Sequence, residues 1–376
     1  MTDYIDKIYE YIESNDEASF FSKATIEIKY VPSINLMIKY KKNIALYDNN
    51  KRDYSISDIK ITESDDYFCS GDIKKLIESC KFSINNNSFK DGWQLFYLYK
   101  ELLQQLIRLC GFNYFRGQSD NYRLLPGSFR PSSNNEYWQA FENIYHRLSF
   151  EFPEKIKYTE LSDRRCIEER ELDLSLLQHY GLKTPLLDIT KNPYFALLFM
   201  LKDRFKDYRK PTFYLFKTDG DLIHSLFSEV KRTSLNERIN AQKGAFLNFE
   251  KIYFEEDMLK IPYIKIVLSI DEEKYKKMLN KEIRDVNDFL KNDELKTLYD
   301  SNYKNSLLEY IKNLRKEKKD MTETKINCLN SIADEMNKKL EEYFYLLEDM
   351  FPDFESRIDY LSKRYKESDK KYLSYK

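Results

Sequence analysis

A short polar turn follows the mostly apolar run 112–115, in a chain that has only 8 glycines among its 376 residues. The turn consists of Arg116, Gly117 and Gln118, and a second arginine, Arg130, follows it closely. A guanidinium can hold a phosphate or a carboxylate through two parallel hydrogen bonds, and a glycine beside it leaves room for a ligand. We therefore predict that these four residues bind an anionic ligand.

Further polar residues interrupt apolar sequence downstream. Asp188 lies inside the run LLDIT, and His179 ends an apolar helix. Gln242 follows Arg238 by four positions, which places both on one face if that stretch is helical. Asp188, His179 and Gln242 are candidate catalytic residues, and Arg238 is a candidate ligand-binding residue.

The same side chains also have a purely structural interpretation. A polar or charged group that is buried alone costs several kcal/mol, so each must find a partner. His179 can be a helix-end histidine that is locked in one tautomer. A hydrogen-bonded hub that fixes the core would contain the following residues: Arg116, Gln118, Asp188 and Gln242. Under either interpretation we expect these residues to converge around one cavity.

The composition argues against several classes of protein, namely those that bind polyanions through net charge, contain metal or disulfide sites, or span a membrane. The chain has 62 basic and 63 acidic residues, so a net charge of -1 gives no bulk attraction to nucleic acid or anionic lipid. Its five cysteines form no CxxC pair and it has only three histidines, so we expect neither a metal site nor a disulfide framework. The N-terminal sequence has no apolar signal core, and no run is long enough to span a membrane. We predict a soluble, cytoplasmic protein without a membrane partner.

Hydrophobic patterning predicts the elements that position these residues. Helices are expected at residues 4–12, 92–109, 137–150, 166–180 and 195–203. Strands are expected at residues 24–30, 35–40, 56–61, 112–115, 186–189, 212–216 and 261–270. Gly111 is expected to end its helix in the left-handed conformation, and Asn192 to cap the helix that Pro193 begins. This pattern predicts an α+β fold with a mixed sheet core, surrounding amphipathic helices and a helical insertion.

The composition also changes along the chain. We expect a small N-terminal α/β module at residues 1–86, which ends near the polar stretch 83–88, a main domain at residues 87–365 and a C-terminal tail at residues 366–376. Within the main domain, lysine and glutamate dominate residues 271–340, which predicts a charged helical insertion.

Four stretches, in this order, resemble the sequence blocks of the FRG domain family. They are YFRGQSDNYRLLPGSFRP at 114–131, LLQHYGLKTPLLDITKNPYFALLFM at 176–200, RINAQKGAF at 238–246 and MFPDFESRIDYL at 350–361. The resemblance implies an FRG domain over about residues 89–365. Pro185 and Ile189 depart from the family, which often has arginine and tryptophan there.

The block pattern of the FRG family is similar in outline to that of ADP-ribosyltransferase folds, which implies NAD as a substrate. In this mapping Arg116 holds the pyrophosphate, and Thr190, with the helix N-terminus at Asn192, donates to a ribose or phosphate. A later residue stabilises the oxocarbenium-like centre as nicotinamide leaves, and this role requires a negative charge. Gln242 carries no charge, so Asp188 or Glu250 is the candidate for that role.

Three functions from different classes stay open. The first is an ADP-ribosyltransferase-like or NAD-hydrolysing effector in conflict between bacteria and phages, with a protein or nucleic acid as its acceptor. The second is non-catalytic sensing of a nucleotide or another phosphate ligand at the same hub. The third is a nucleic-acid-directed protein, which is favoured by arginines and aromatic residues that alternate closely: Tyr122, Arg123, Phe129 and Arg130.

Overall fold

Strands and helices both occur throughout the part of the chain that the structure describes. This structure is a computed structural model, and it describes residues 3–14, 19–34, 54–68, 71–85, 94–130, 135–202, 204–219, 224–229, 244–254, 258–291, 301–346, 358 and 362. The strands within these ranges are β1 (Phe21–Pro32), β2 (Tyr54–Ser64), β3 (Tyr114–Gln118), β4 (Leu186–Thr190), β5 (Thr212–Phe216), β6 (Phe227–Ser228), β7 (Gly244–Asn248) and β8 (Ile261–Ile270).

The helices of the same ranges flank these strands. They are α1 (Asp3–Ser14), α2 (Gly71–Asn85), α3 (Gln94–Cys110), α4 (Asn135–Glu151), α5 (Ile167–His179), α6 (Pro193–Leu201), α7 (Glu272–Lys291), α8 (Ser301–Lys319) and α9 (Thr322–Glu342). No helix among them combines the length and the apolar character that a membrane span requires.

All eight strands belong to one sheet, in the order β2-β1-β8-β5-β3-β4-β7-β6. β1 and β8 run parallel, whereas the other neighbouring pairs run antiparallel. The predicted α+β fold with a mixed sheet core is therefore confirmed. The two short apolar runs predicted as strands, 112–115 and 186–189, correspond to β3 and β4, which are neighbours in this sheet.

The residues of the expected N-terminal module extend the same sheet. β1 pairs with β8 from Phe21↔Ile261 to Tyr30↔Ile270, and β2 forms the edge beyond β1. The sheet is thus continuous across the boundary expected at residue 86. The stretch 83–88, which was expected to be a linker, is helical as far as Asn85 because α2 extends into it.

Two hydrophobic cores lie on opposite faces of the sheet, because successive strand residues point to opposite sides. Phe213 and Leu215 of β5 belong to the first core, which α3, α6 and α9 cover. Tyr214 and Phe216 of the same strand belong to the second core, which α1, α4 and α5 cover. A strand at the centre of this sheet therefore has both faces packed against helices.

The expected helical insertion at residues 271–340 contains α7, α8 and α9. α7 and α8 share a small core to which Leu279 and Leu314 belong. α9 packs against the first core through Leu329, Ile332 and Met336.

Two predictions of local structure are confirmed. Gly111 ends α3 with φ of 74°, a left-handed conformation that glycine adopts readily. The Asn192 side chain accepts a hydrogen bond from the main-chain N–H of Tyr194 at 3.0 Å, and Pro193 is the first residue of α6. The strand predicted at 35–40 and the tail at 366–376 lie outside the described residues.

Candidate functional site

The position of Arg116 follows from the way β3 and β4 separate. β3 pairs with β5 along its whole length, but it pairs with β4 only at Phe115↔Thr190. Beyond that pair, Arg116 spans the space between the two strands and donates from Nη1 to the main-chain oxygen of Asp188 at 2.5 Å. The guanidinium therefore lies in a gap between two central strands.

Arg116 has few partners for a half-buried cation. Its second hydrogen bond runs from Nε to Oε1 of Gln118 at 3.2 Å, so both of its acceptors are neutral. A guanidinium has five N–H donors, and no described carboxylate forms an ion pair with this one. Burial lowers the pKa of Arg116 to about 10, although the charge of Asp188 acts in the opposite direction. The side chain thus keeps its charge at neutral pH, although no carboxylate of the described residues is hydrogen-bonded to it.

Arg130 brings a second positive charge to the same place. Its own charge further lowers the pKa of Arg116, which is the effect of a neighbouring cation. Arg130 is exposed and donates from Nε to the main-chain oxygen of Leu125 at 3.1 Å. The two arginines therefore form a positive patch at the opening between β3 and β4.

Gln118 fixes the loop that follows β3. Its side chain is buried, and Nε2 donates to the main-chain oxygen of Tyr122 at 3.1 Å. The hydroxyl of Tyr214 donates to the same oxygen, also at 3.1 Å. Gln118 thus connects Arg116 to the loop and the second core.

Gly117 makes room for α6. A Cβ atom added at this position would lie 1.8 Å from the main-chain oxygen of Ala196 and 2.7 Å from the main-chain nitrogen of Met200. Alternation along β3 places this contact on the face opposite the Arg116 side chain. The close approach of a helix accounts for this glycine without any ligand.

Asp188 presents an exposed carboxylate beside the arginine. Oδ1 accepts a hydrogen bond from Nε2 of Gln178 at 2.8 Å, and Oδ2 has no hydrogen bond from any described residue. The hydroxyl of Thr184 donates in turn to Oε1 of Gln178. The carboxylate is therefore held on one side and open on the other.

The remaining predicted site residues lie around this centre. The Thr190 hydroxyl accepts a hydrogen bond from the main-chain N–H of Asn192 at 3.0 Å. The side-chain oxygens of Thr190 and Asn192 therefore both accept main-chain N–H groups at the start of α6. His179 is half-buried at the end of α5, and its ring lies 5.1 Å from that of Tyr180 in an edge-on arrangement. Arg238 and Gln242 lie outside the described residues. Of the predicted group, the structure brings together Arg116, Gln118 and Asp188.

The sequence around this site matches one known family. The family model of the FRG domain matches residues 112–209. These residues form an FRG domain. The match includes the first two of the four stretches that resemble the family, and these two contain both arginines, Gln178 and Asp188. No curated protein and no solved structure matches the chain.

The sequence pattern gives no sign of a buried charged cluster, which joins Arg170 and Glu142 of the matched residues to Tyr4 and Glu250 outside them. Arg170 is 0% exposed, and its Nε donates to both carboxylate oxygens of Glu250, at 2.9 and 3.0 Å. Its other nitrogens donate to Glu142, to the hydroxyl of Tyr4 and to the main-chain oxygen of Thr159. Arg170 stands in the charged run EERELD, which looks like a solvated helix face and gives no sign of burial.

This cluster corrects one expectation about catalysis. Glu250 was one of two candidates for the negative charge at the reaction centre, but it is fully buried and paired with Arg170. Burial raises the pKa of Glu250, and the Arg170 charge opposes that shift. Of these two carboxylates, Asp188 is therefore the one that is exposed to a ligand.

Two further observations bear on other ligands of the FRG domain. Phe129 is buried, so of the two aromatic residues predicted to stack on a base, Tyr122 is the exposed one. Arg123 donates from Nη2 to the main-chain oxygen of Ile12 at 3.0 Å. In the described part of the chain, no three His, Cys, Asp or Glu side chains come together as a metal site.

Proposed function

We propose that the FRG domain of this chain binds a nucleotide through its phosphate groups. The observation that carries this proposal is the half-buried Arg116, which has only neutral acceptors in the described structure. Removing a cation from water costs free energy that an anionic partner offsets. A bound phosphate would supply that partner, and the free N–H groups of Arg116 would donate to it.

The neighbours of Arg116 favour a nucleotide over a simple anion. Arg130 adds a second cation, so two phosphate groups can be bound together. Asp188 adds a carboxylate, which repels phosphate but accepts hydrogen bonds from sugar hydroxyls. A ligand that carries a pyrophosphate and a ribose matches this combination of charges, and NAD is such a ligand.

A second candidate function is cleavage of NAD, as an NAD hydrolase or an ADP-ribosyltransferase. The observation that favours it is the open oxygen Oδ2 of Asp188, since the hydrogen bond from Nε2 of Gln178, at 2.8 Å, goes to the other oxygen, Oδ1. In this reaction the bond between C1′ of the ribose and the nicotinamide nitrogen breaks, and the electron pair leaves with nicotinamide. The Asp188 carboxylate would stabilise the positive charge at C1′ until water or an acceptor attacks and loses a proton.

Calorimetric titration tests the binding proposal with NAD, ADP and inorganic phosphate as probes. We expect Arg116→Ala to weaken nucleotide binding about 10- to 100-fold, since a hydrogen bond to a charged group contributes about 1.5–3 kcal/mol. Arg147→Ala is the matched control, because this arginine is exposed on α4 and its ion pair with Glu151 lies at the surface. The proposal fails if the wild-type protein binds none of the probes, or if both variants bind equally well.

Nicotinamide release distinguishes cleavage from binding alone. We expect the wild-type protein to release nicotinamide from NAD, and Asp188→Asn to lose this activity while NAD still binds. The substitution keeps the shape of the side chain and removes its charge. Binding of NAD without release by the wild-type protein would reject cleavage and leave ligand sensing as the function.

A further inference from the structure

Three hydrogen bonds connect the main chain of β4 with the carboxylate of Asp188. The main-chain N–H of Leu186 donates to Oγ1 of Thr184 at 3.3 Å. The hydroxyl of Thr184 donates to Oε1 of Gln178, and Nε2 of Gln178 donates to Oδ1 of Asp188 at 2.8 Å. The series begins at the first residue of the strand that carries Asp188 and returns to that strand.

The series fixes the orientation of the Gln178 amide. A main-chain N–H can only donate, so Thr184 must accept from Leu186 and can then direct its own proton towards Gln178. Oε1 of Gln178 accepts that proton, and its NH₂ group therefore faces Asp188. The reversed amide would place two oxygen atoms 2.8 Å apart, which is unfavourable for an ionised carboxylate.

Asp188 is consequently held at two points. Arg116 donates to its main-chain oxygen, whereas Gln178 donates to its side chain. The cation that would hold the phosphates and the carboxylate that would face the sugar are thus fixed relative to each other. Such fixed geometry is what a reaction at the glycosidic bond requires.

The exposure of the residues in this series indicates that its hydrogen bonds position the Asp188 carboxylate rather than stabilise the fold. Thr184 is 1% exposed, whereas Asp188 is exposed. A hydrogen bond to an exposed carboxylate adds little to stability, because water competes for the same oxygen and the side chain loses rotamer freedom. Its main effect is to select one direction for the carboxylate.

We propose that Gln178, oriented by Thr184, is a positioning residue that directs the Asp188 carboxylate towards the bound ligand. The proposal rests on the nucleotide site and on the cleavage reaction described under Proposed function. It adds two residues to that site that would touch neither the ligand nor the reacting atoms.

The kinetic test compares Gln178→Met, Thr184→Val and Thr184→Ser. The first removes the donor, the second removes the hydroxyl at constant shape, and the third keeps the hydroxyl. We expect the first two to lower kcat for nicotinamide release about 10-fold, with the KM for NAD changed less than about twofold. Thr184→Ser should restore most of the turnover that Thr184→Val loses.

Other outcomes would overturn the proposal. A higher KM at unchanged kcat would assign Gln178 to ordinary ligand binding. Equal losses in the serine and valine variants, accompanied by equal falls in melting temperature, would assign Thr184 to packing. Melting curves of all three variants are therefore recorded together with the kinetics.

A ligand-free measurement separates this inference from the function on which it rests. In protein labelled with ¹⁵N-glutamine, the side-chain amide of Gln178 is identified by its loss in Gln178→Met. We expect this amide to be rigid in the wild-type protein and in Thr184→Ser, and mobile in Thr184→Val. If NAD neither binds nor reacts, the proposed function fails, but a rigid amide that Thr184→Val releases still supports positioning of Asp188. A mobile amide in the wild-type protein overturns the inference for any ligand.

Discussion

The two arginines Arg170 and Arg116 are both withdrawn from water, yet their surroundings differ. Arg170 is surrounded by two carboxylates, a tyrosine hydroxyl and a main-chain oxygen, and it is fully buried. Arg116 is half-buried and donates to a main-chain oxygen and a neutral amide. The partners of Arg170 come from α1, α4, the segment between α4 and α5 and the segment after β7, whereas the hydrogen-bond partners of Arg116 come from β3 and β4.

This difference distinguishes a buried cation that stabilises the fold from one that is available to a ligand. All five N–H donors of Arg170 have acceptors, so the cluster ties distant parts of the chain together and leaves no donor for a ligand. Arg116 has no hydrogen-bonded anion within the described structure, so a ligand can provide one. We therefore assign Arg170 to the scaffold and Arg116 to binding, and this contrast predicts opposite effects on stability and on affinity.

The largest effect is expected for Arg170→Ala. Removal of the guanidinium leaves Glu142 and Glu250 buried without their cation, which typically costs about 3–5 kcal/mol of unfolding free energy. Denaturant unfolding of the wild-type protein, Arg170→Ala and the exposed control Arg147→Ala measures it. A loss below about 1 kcal/mol, the range of surface substitutions, would mean that the cluster is not a scaffold.

The sequence pattern predicts the elements around the site better than it predicts the scaffold beneath the site. The runs that became β3 and β4 are short and apolar, and Asn192 and Pro193 form a local helix start, so these signals need no tertiary information. The burial of Arg170 depends on Glu142, Glu250 and Tyr4, which are distant in sequence. Only the fold shows that these four residues meet.

The role of Gly117 shows the same limit. A glycine beside an arginine is compatible with a ligand and with a packed helix, and the sequence does not distinguish these cases. Only the position of α6, whose main chain at Ala196 lies against Gly117, shows what the missing side chain makes room for.

Gly117→Ala is the second prediction, and it tests whether the two neighbours Arg116 and Gly117 have different roles. The new Cβ would lie 1.8 Å from a main-chain oxygen, which cannot move without shifting α6. We expect a loss of about 1–3 kcal/mol or more in unfolding free energy, measured by denaturant unfolding. Gly71→Ala is the control, because no atom lies within 4 Å of its added Cβ. Equal stability of both variants would contradict the packing role.

The third prediction concerns Glu171, a buried acid beside the Arg170 cluster. Burial raises the pKa of Glu171 from 4.5 to about 7, although the Asn248 side chain donates to it at 3.2 Å. Between these two pH values the folded protein keeps a proton that the unfolded chain has lost. The contribution of Glu171 to stability is therefore complete below pH 4.5 and is lost as the pH rises to about 7.

Glu171→Gln removes this titration and keeps the hydrogen-bonding shape. We expect the unfolding free energy of the variant, relative to the wild-type protein, to increase by about 1–3 kcal/mol between acidic and neutral pH. Denaturant unfolding over a series of pH values measures the difference. A difference that stays constant with pH, or that decreases as the pH rises, would show that Glu171 does not hold a proton in the folded protein.

The smallest effect on stability is expected for Arg116→Ala, and it decides the comparison of the two arginines. The variant loses two hydrogen bonds from a charged group, each worth about 1.5–3 kcal/mol, but it also loses the cost of several kcal/mol of keeping a charge away from water. These terms oppose each other, so we expect the unfolding free energy to change by less than about 1 kcal/mol. The same variant should lose the response to ligand: at 100 times its Kd, NAD should stabilise the wild-type protein by about 2.7 kcal/mol and Arg116→Ala far less. A loss of about 3–5 kcal/mol without ligand would instead place Arg116 with Arg170 in the scaffold, because only a paired buried cation leaves that deficit when it is removed.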